Sequence, residues 1–124
     1  MAFEVRSEQY EKLRESVIEQ FVGRMVAHVR TYFPQDFASL GEQETRILVR
    51  HGIERAESYE IVSERDVCTY VDLMVALGPD FDVDERYPWA ADILTDRTWP
   101  HPTAKIEALH ARAIASLRES APAA

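Results

Sequence analysis

An all-α fold is predicted for this chain, a single domain built as a bundle of four main helices plus one short helix. Three observations predict it. Apolar residues recur at three- and four-residue spacing through four long segments. Capping and stop residues stand where those segments begin and end. No alternating apolar–polar pattern runs longer than a few residues, although "YEIVS" could form a brief extended piece.

The first segment, "SEQYEKLRESVIEQFVGRMVAHVRTYF", sets Tyr10, Val17, Phe21, Met25, His28 and Tyr32 on one stripe. Ser7 is placed as its N-cap and Pro34 as its stop. The stripe widens to Val22, Val26 and Val29, more apolar surface than one small core covers, which hints at a partner or a homodimer. "PQDFASLG" then reads as a connector with at most a short helical turn, tucking Phe37 and Leu40 inward.

"EQETRILVRHGIERAESY" is the second helix, with Ile47, Leu48, Ala56 and Tyr59 at helical spacing. Gly52 in its middle costs about 1 kcal/mol against alanine, so its presence implies a close neighbouring helix. Arg50, Arg55 and Arg65, interleaved with acids, read as a solvated helix face followed by a capped turn. In "SERDVCTYVDLMVALGP", Ser63 and Asp66 resemble a capping box, and Val67, Tyr70, Val71, Met74 and Val75 form the apolar side. Gly78 and Pro79 end that helix. Pro88 opens the short helix "PWAADILTD", expected to carry Trp89 and Ile93 inward. The last helix, "PTAKIEALHARAIASLRES", offers Ile106, Leu109, Ala113, Ile114 and Leu117 to the core, and residues 121–124 read as a disordered tail after a domain spanning 1–120.

The bulk numbers narrow function. With 124 residues, 46% hydrophobic and 29% charged, the chain is an ordinary globular domain. A formal charge of −8 argues against nucleic acid and anionic membrane as partners and suits a basic protein. Residues 67–99 carry seven acids against Arg86 and Arg97. Cys68 is the sole cysteine, so no internal disulfide forms, and the absence of a signal-like start or an apolar run of membrane length makes the cytoplasm the expected compartment.

The most distinctive stretch is "LGPDFDVDERYPWA", with Asp80, Asp82 and Asp84 at alternate positions. An EF-hand loop counted from Asp80 would need glycine at its sixth position and a bidentate acid at its twelfth, where Glu85 and Ala91 stand. The reading that remains is an acidic loop pinned by Phe81, Tyr87 and Trp89, with Asp80, Asp82, Asp84 and Glu85 as a partner-binding surface. Arg65 and Asp66 would order the turn that frames it. Gly52, Gly78, Phe81, Pro88 and Trp89 are the expected structural anchors.

Catalytic and metal motifs are incomplete. Glu107 and His110 form one E-x-x-H, and His51 with Glu54 has the reverse order, short of a di-iron carboxylate set. Neither a G-x-S-x-G elbow, a phosphate loop nor H-E-x-x-H is present. A thiol nucleophile at Cys68 with His28 or His51 is the enzymatic alternative, set against a buried structural cysteine. No cofactor, metal or catalytic residue is therefore assigned.

The stretches "FVGRMVAHVRTYFP", "LVRHGIERAESYEIVSERDVCTYVDLM", "LGPDFDVDERYPWAADIL" and "KIEALHARA" make the chain, over residues 13–117, resemble small helical bacterial proteins associated with type VI secretion and polymorphic-toxin gene clusters. Phe33, Pro34, Gly52, Glu64, Arg65, Asp66, Gly78, Phe81, Pro88 and Trp89 carry the match. The resemblance implies a non-enzymatic accessory protein that binds a secreted effector or spike component, as adaptor or chaperone, or else an immunity protein that blocks a toxin through an acidic surface.

Overall fold

A computed structural model describes residues 7–120 of the chain. All regular structure among them is helical: α1 (Ser7–Tyr32), α2 (Pro34–Ser58), α3 (Glu64–Leu77), α4 (Pro88–Thr95) and α5 (Pro102–Ser120), with a 3-10 turn at Phe81–Val83. "YEIVS" forms no strand. The tail expected at 121–124 lies outside the described residues. Two compact units divide the chain, Met1–Val49 and Arg50–Ala124.

In the first unit, α1 ends at Tyr32 and Pro34 opens α2, where its missing N–H and fixed φ suit a first helical turn. The segment expected as a connector is therefore helical. It is set off from the rest of α2 by Gly41, whose φ of 80° breaks the helix at a conformation that glycine adopts without a Cβ penalty. Thr45 donates from Oγ1 to the Gly41 carbonyl at 2.7 Å and is fully buried. Glu19 accepts from Arg46 at 2.8 Å, and the Arg30 guanidinium lies 5.6 Å from the centre of the Phe37 ring.

The face that α1 buries is Phe21, Val22, Met25, Val26 and Val29. Tyr10, Val17 and Tyr32, expected on the inward stripe, are exposed. In α2, Ile47 is likewise exposed, and Thr45, Val49, Gly52 and Ala56 are the buried positions.

In the second unit, Ser63 caps α3 by accepting from the Asp66 N–H at 3.2 Å. Val67, Tyr70, Val71, Leu73, Met74 and Leu77 are buried along α3, and Gly78 closes it with its N–H on the Met74 carbonyl at 2.9 Å. Gly52 has the reason expected of it. A Cβ there would stand 2.8 Å from Met74 Sδ and 2.9 Å from Val71 Cγ2, so a side chain at this position would force both neighbours on α3 to shift. α5 packs on α3 and α4, and α4 also packs on the 3-10 turn. Trp89 and Ile93 are only half-buried, because Ala90 and Leu94 hold the inner face of α4.

Candidate functional site

The three alternate aspartates point to three different partners. Asp80 is 68% exposed and accepts from His51 Nε2 at 3.1 Å. Asp84 accepts from the Arg86 backbone N–H at 2.9 Å and from its guanidinium at 2.8 Å, closing a local turn. Those bonds hold the Asp84 carboxyl below its ordinary range. Asp82 is fully buried and is ion-paired to Arg55, while the Tyr59 hydroxyl donates to it at 2.6 Å.

The 3-10 geometry explains this divergence. In a strand, alternate residues would share a face. In the turn at Phe81–Val83, Phe81 and Asp82 both turn inward and Val83 is 64% exposed. Of the residues assigned to an acidic partner surface, Asp80 and Glu85 are exposed, Asp84 is half-buried, and Asp82 has left the surface altogether. Arg65 is exposed. Asp66 is buried and, in place of the reciprocal bond of a capping box, takes the Thr103 hydroxyl of α5 at 2.8 Å. Asp66 thus fastens α3 to α5.

Around Asp82 lies a cluster that sequence reasoning missed. Arg55, expected on a solvated helix face, reaches inward from α2 to meet it. Tyr70 stacks 5.1 Å from Phe81 and 6.4 Å from Tyr59. Arg55 Nε, Tyr70 OH and Asp82 Oδ1 are buried with no hydrogen-bond partner among the described residues. Burial, reinforced by the bond to Asp82, pushes the Tyr59 phenol up to about 12, and burial also drives the Tyr70 phenol far upward. The Asp82 bond pulls Arg55 the same way and keeps it protonated. Phenols and a guanidinium whose proton affinity rises are poor bases and poor acids near neutrality, so this chemistry suits a structural clamp. Nothing in the sequence sets Arg55 apart from Arg46 and Arg50, the other arginines of α2.

Glu107 and His110 are both exposed on α5. His51 is engaged with Asp80, and Glu54 points to solvent. Burial, followed by the nearby Asp72 charge, raises the Cys68 thiol above its ordinary value, the opposite of what activates a nucleophile. Trp89 is stacked 5.8 Å from Tyr87 and lies under the Arg112 guanidinium at 5.3 Å, so it anchors the end of the acidic loop from a half-buried position.

Across the back of the unit runs a cleft of about 560 Å³, walled by residues that include Tyr59, Leu94, Arg97, Trp99, His101 and Lys105. Lys105 is only 7% exposed and donates to the Tyr59 carbonyl at 2.9 Å. Among the described residues no helix is long and apolar enough to cross a membrane. No protein-family model, curated protein or solved structure matches the chain.

Proposed function

We propose that this is a non-enzymatic accessory protein of the bacterial cytoplasm that binds a secreted effector or spike component as an adaptor or chaperone. The observation that carries the reading is the leading half of α1. Tyr10, Leu13 and Val17 follow one another at three- and four-residue spacing and are 56%, 65% and 50% exposed. Glu8, Glu11, Lys12 and Arg14 stand beside them. An exposed apolar line rimmed by charges of both signs suits docking against an amphipathic segment of a partner, the helix-in-groove mode of recognition. The resemblance to type VI and toxin-cluster proteins supports the same role.

A second reading, an immunity protein, is favoured by the acidic loop. Buried Phe81 and Asp82 fix its backbone from inside, so exposed Asp80 and Glu85 are held as a rigid anionic face. Electrostatic steering toward a basic toxin cleft needs such a face.

Capture of the tagged protein from its native cells, in three versions, tests both. The wild type is expected to retain one toxin-like or spike-like protein in stoichiometric amount. Leu13→Asp with Val17→Asp should lose it if α1 is the docking element, whereas Asp80→Lys with Glu85→Lys should lose it if the immunity reading holds. A wild type that comes down alone, or a partner that all three versions retain equally, would remove both readings.

A further inference from the structure

The cleft behind the Asp82 cluster belongs to neither reading, and its construction points to a ligand of its own. Its wall between α4 and α5 is the segment "DRTWPHP", which is held rigid in four ways. Asp96 Oδ1 accepts from both the N–H and the hydroxyl of Thr98, at 2.8 and 2.7 Å. The Trp99 indole N–H donates to the Ile93 carbonyl at 2.9 Å, fixing the ring. His101 Nδ1 accepts from the Ala104 N–H at 3.1 Å, capping α5 and leaving the proton of a neutral ring on Nε2. Pro100 and Pro102 restrict the backbone on either side.

The charges of the cleft are unevenly satisfied. Asp96 is occupied by its turn to Thr98. Arg97 is exposed and makes no hydrogen bond or ion pair among the described residues. Lys105 is the sharper case: the residue is 7% exposed, its ammonium donates to one neutral carbonyl, and it makes no ion pair among the described residues, the Asp96 carboxylate acting on it only at longer range. An ammonium has three N–H groups. A buried ammonium whose N–H groups are only partly met is unfavourable unless an acceptor completes it, and an anionic acceptor does so most strongly. Beside it stand Trp99 and Leu94, an aromatic wall and an aliphatic one. The volume lies within the roughly 300–1,000 Å³ of small-molecule sites.

We propose that this cleft binds a small organic carboxylate, its anionic head on the Lys105 ammonium and the Arg97 guanidinium and its flat apolar body against Trp99. His101 Nε2–H is a further donor at the site. Exposed Glu60, which also lines the cleft, opposes the anion and limits its affinity. The site stands on unit-two residues alone and does not depend on the docking role of α1.

Two-dimensional NMR of the full chain, following the Trp99 indole N–H during titration with phenylacetate and with neutral phenylacetamide, tests the site. Phenylacetate is expected to shift that signal saturably in the millimolar range or below, and phenylacetamide to bind at least about tenfold more weakly, the scale of one lost charge-assisted hydrogen bond. Arg97→Gln should weaken phenylacetate about threefold or more, and Glu60→Gln should tighten it by a similar factor; both substitutions lie at exposed positions and leave the fold intact. Lys105→Met should abolish the shift. Equal binding of acid and amide, no saturable shift with either, or unchanged affinity in Arg97→Gln and Glu60→Gln would each overturn the proposal.

Discussion

Two stretches of fourteen residues in this chain are both α-helical and are held for opposite reasons. α3, Glu64–Leu77, buries seven of its residues, is capped by Ser63 and closed by Gly78. The opening of α1, from Ser7 to Gln20, buries none. Isolated helices of this length are marginal in water, because a few backbone hydrogen bonds barely offset the entropy of nucleation. α3 draws its stability from packing, whereas the start of α1 has its propensity, its continuity with the buried half and surface polar contacts such as the Arg46 bond to Glu19. The difference separates the two units: the second carries its own clamps, and the first presents an exposed apolar helix face that suits the docking role proposed for it.

The largest way to sharpen this contrast is to damage one residue in each region. Asp82→Ala strands the Arg55 guanidinium beside a buried cavity and should cost about 3–5 kcal/mol, the scale of a broken buried pair. Leu13→Ala should stay within about 0.5 kcal/mol, as exposed substitutions do. Chemical denaturation of both variants checks this, and a comparable loss in each would erase the distinction.

A smaller effect is expected at Gly52. Alanine is favoured over glycine inside a helix by about 1 kcal/mol. Here its Cβ would meet Met74 and Val71 inside 3 Å, so Gly52→Ala should destabilise by about 1–3 kcal/mol instead. A stabilised variant would show that α2 and α3 part easily.

The smallest effect is in pH. Tyr59 has its phenol raised to about 12 by burial and by its bond to Asp82. A raised pKa means that its stabilisation is complete below the unfolded value near 10 and is lost as pH climbs through the folded one. Between pH 10 and 12 the thermal midpoint of the wild type should therefore fall more steeply than that of Tyr59→Phe. Parallel curves would place the Tyr59 hydroxyl in water.

How much of this was legible in the sequence depends on range. α3 was legible because each of its signals is local: the Ser63 cap, the apolar spacing and the Gly78 stop all lie within seventeen residues. Gly52 was legible because glycine in a helix demands a steric cause. The helical stretch Pro34–Leu40 was missed, since proline, serine and a nearby glycine read as loop chemistry although proline also opens helices. The burial of Asp82 was hidden for a different reason. Its partners Arg55 and Tyr59 lie 27 and 23 residues away, and the alternating aspartates suggested one shared face, which a 3-10 turn does not provide. On α1 the periodicity was right and the facing was off: Val22, Val26 and Val29 are covered, and the exposed apolar line lies nearer the start of the helix. The candidate cleft carries no sequence signature, because Tyr59, Trp99 and Lys105 converge only through the packing of α4 and α5.

Amide hydrogen exchange on the dilute isolated protein tests the central claim most directly. The amides of Ser7–Gln20 should exchange orders of magnitude faster than those of α3, and they should gain protection when a docking partner or a second copy at high concentration covers Leu13. If the opening of α1 were protected as strongly as α3 in the monomer, that helix would need no partner, and the binding role proposed for it would be contradicted.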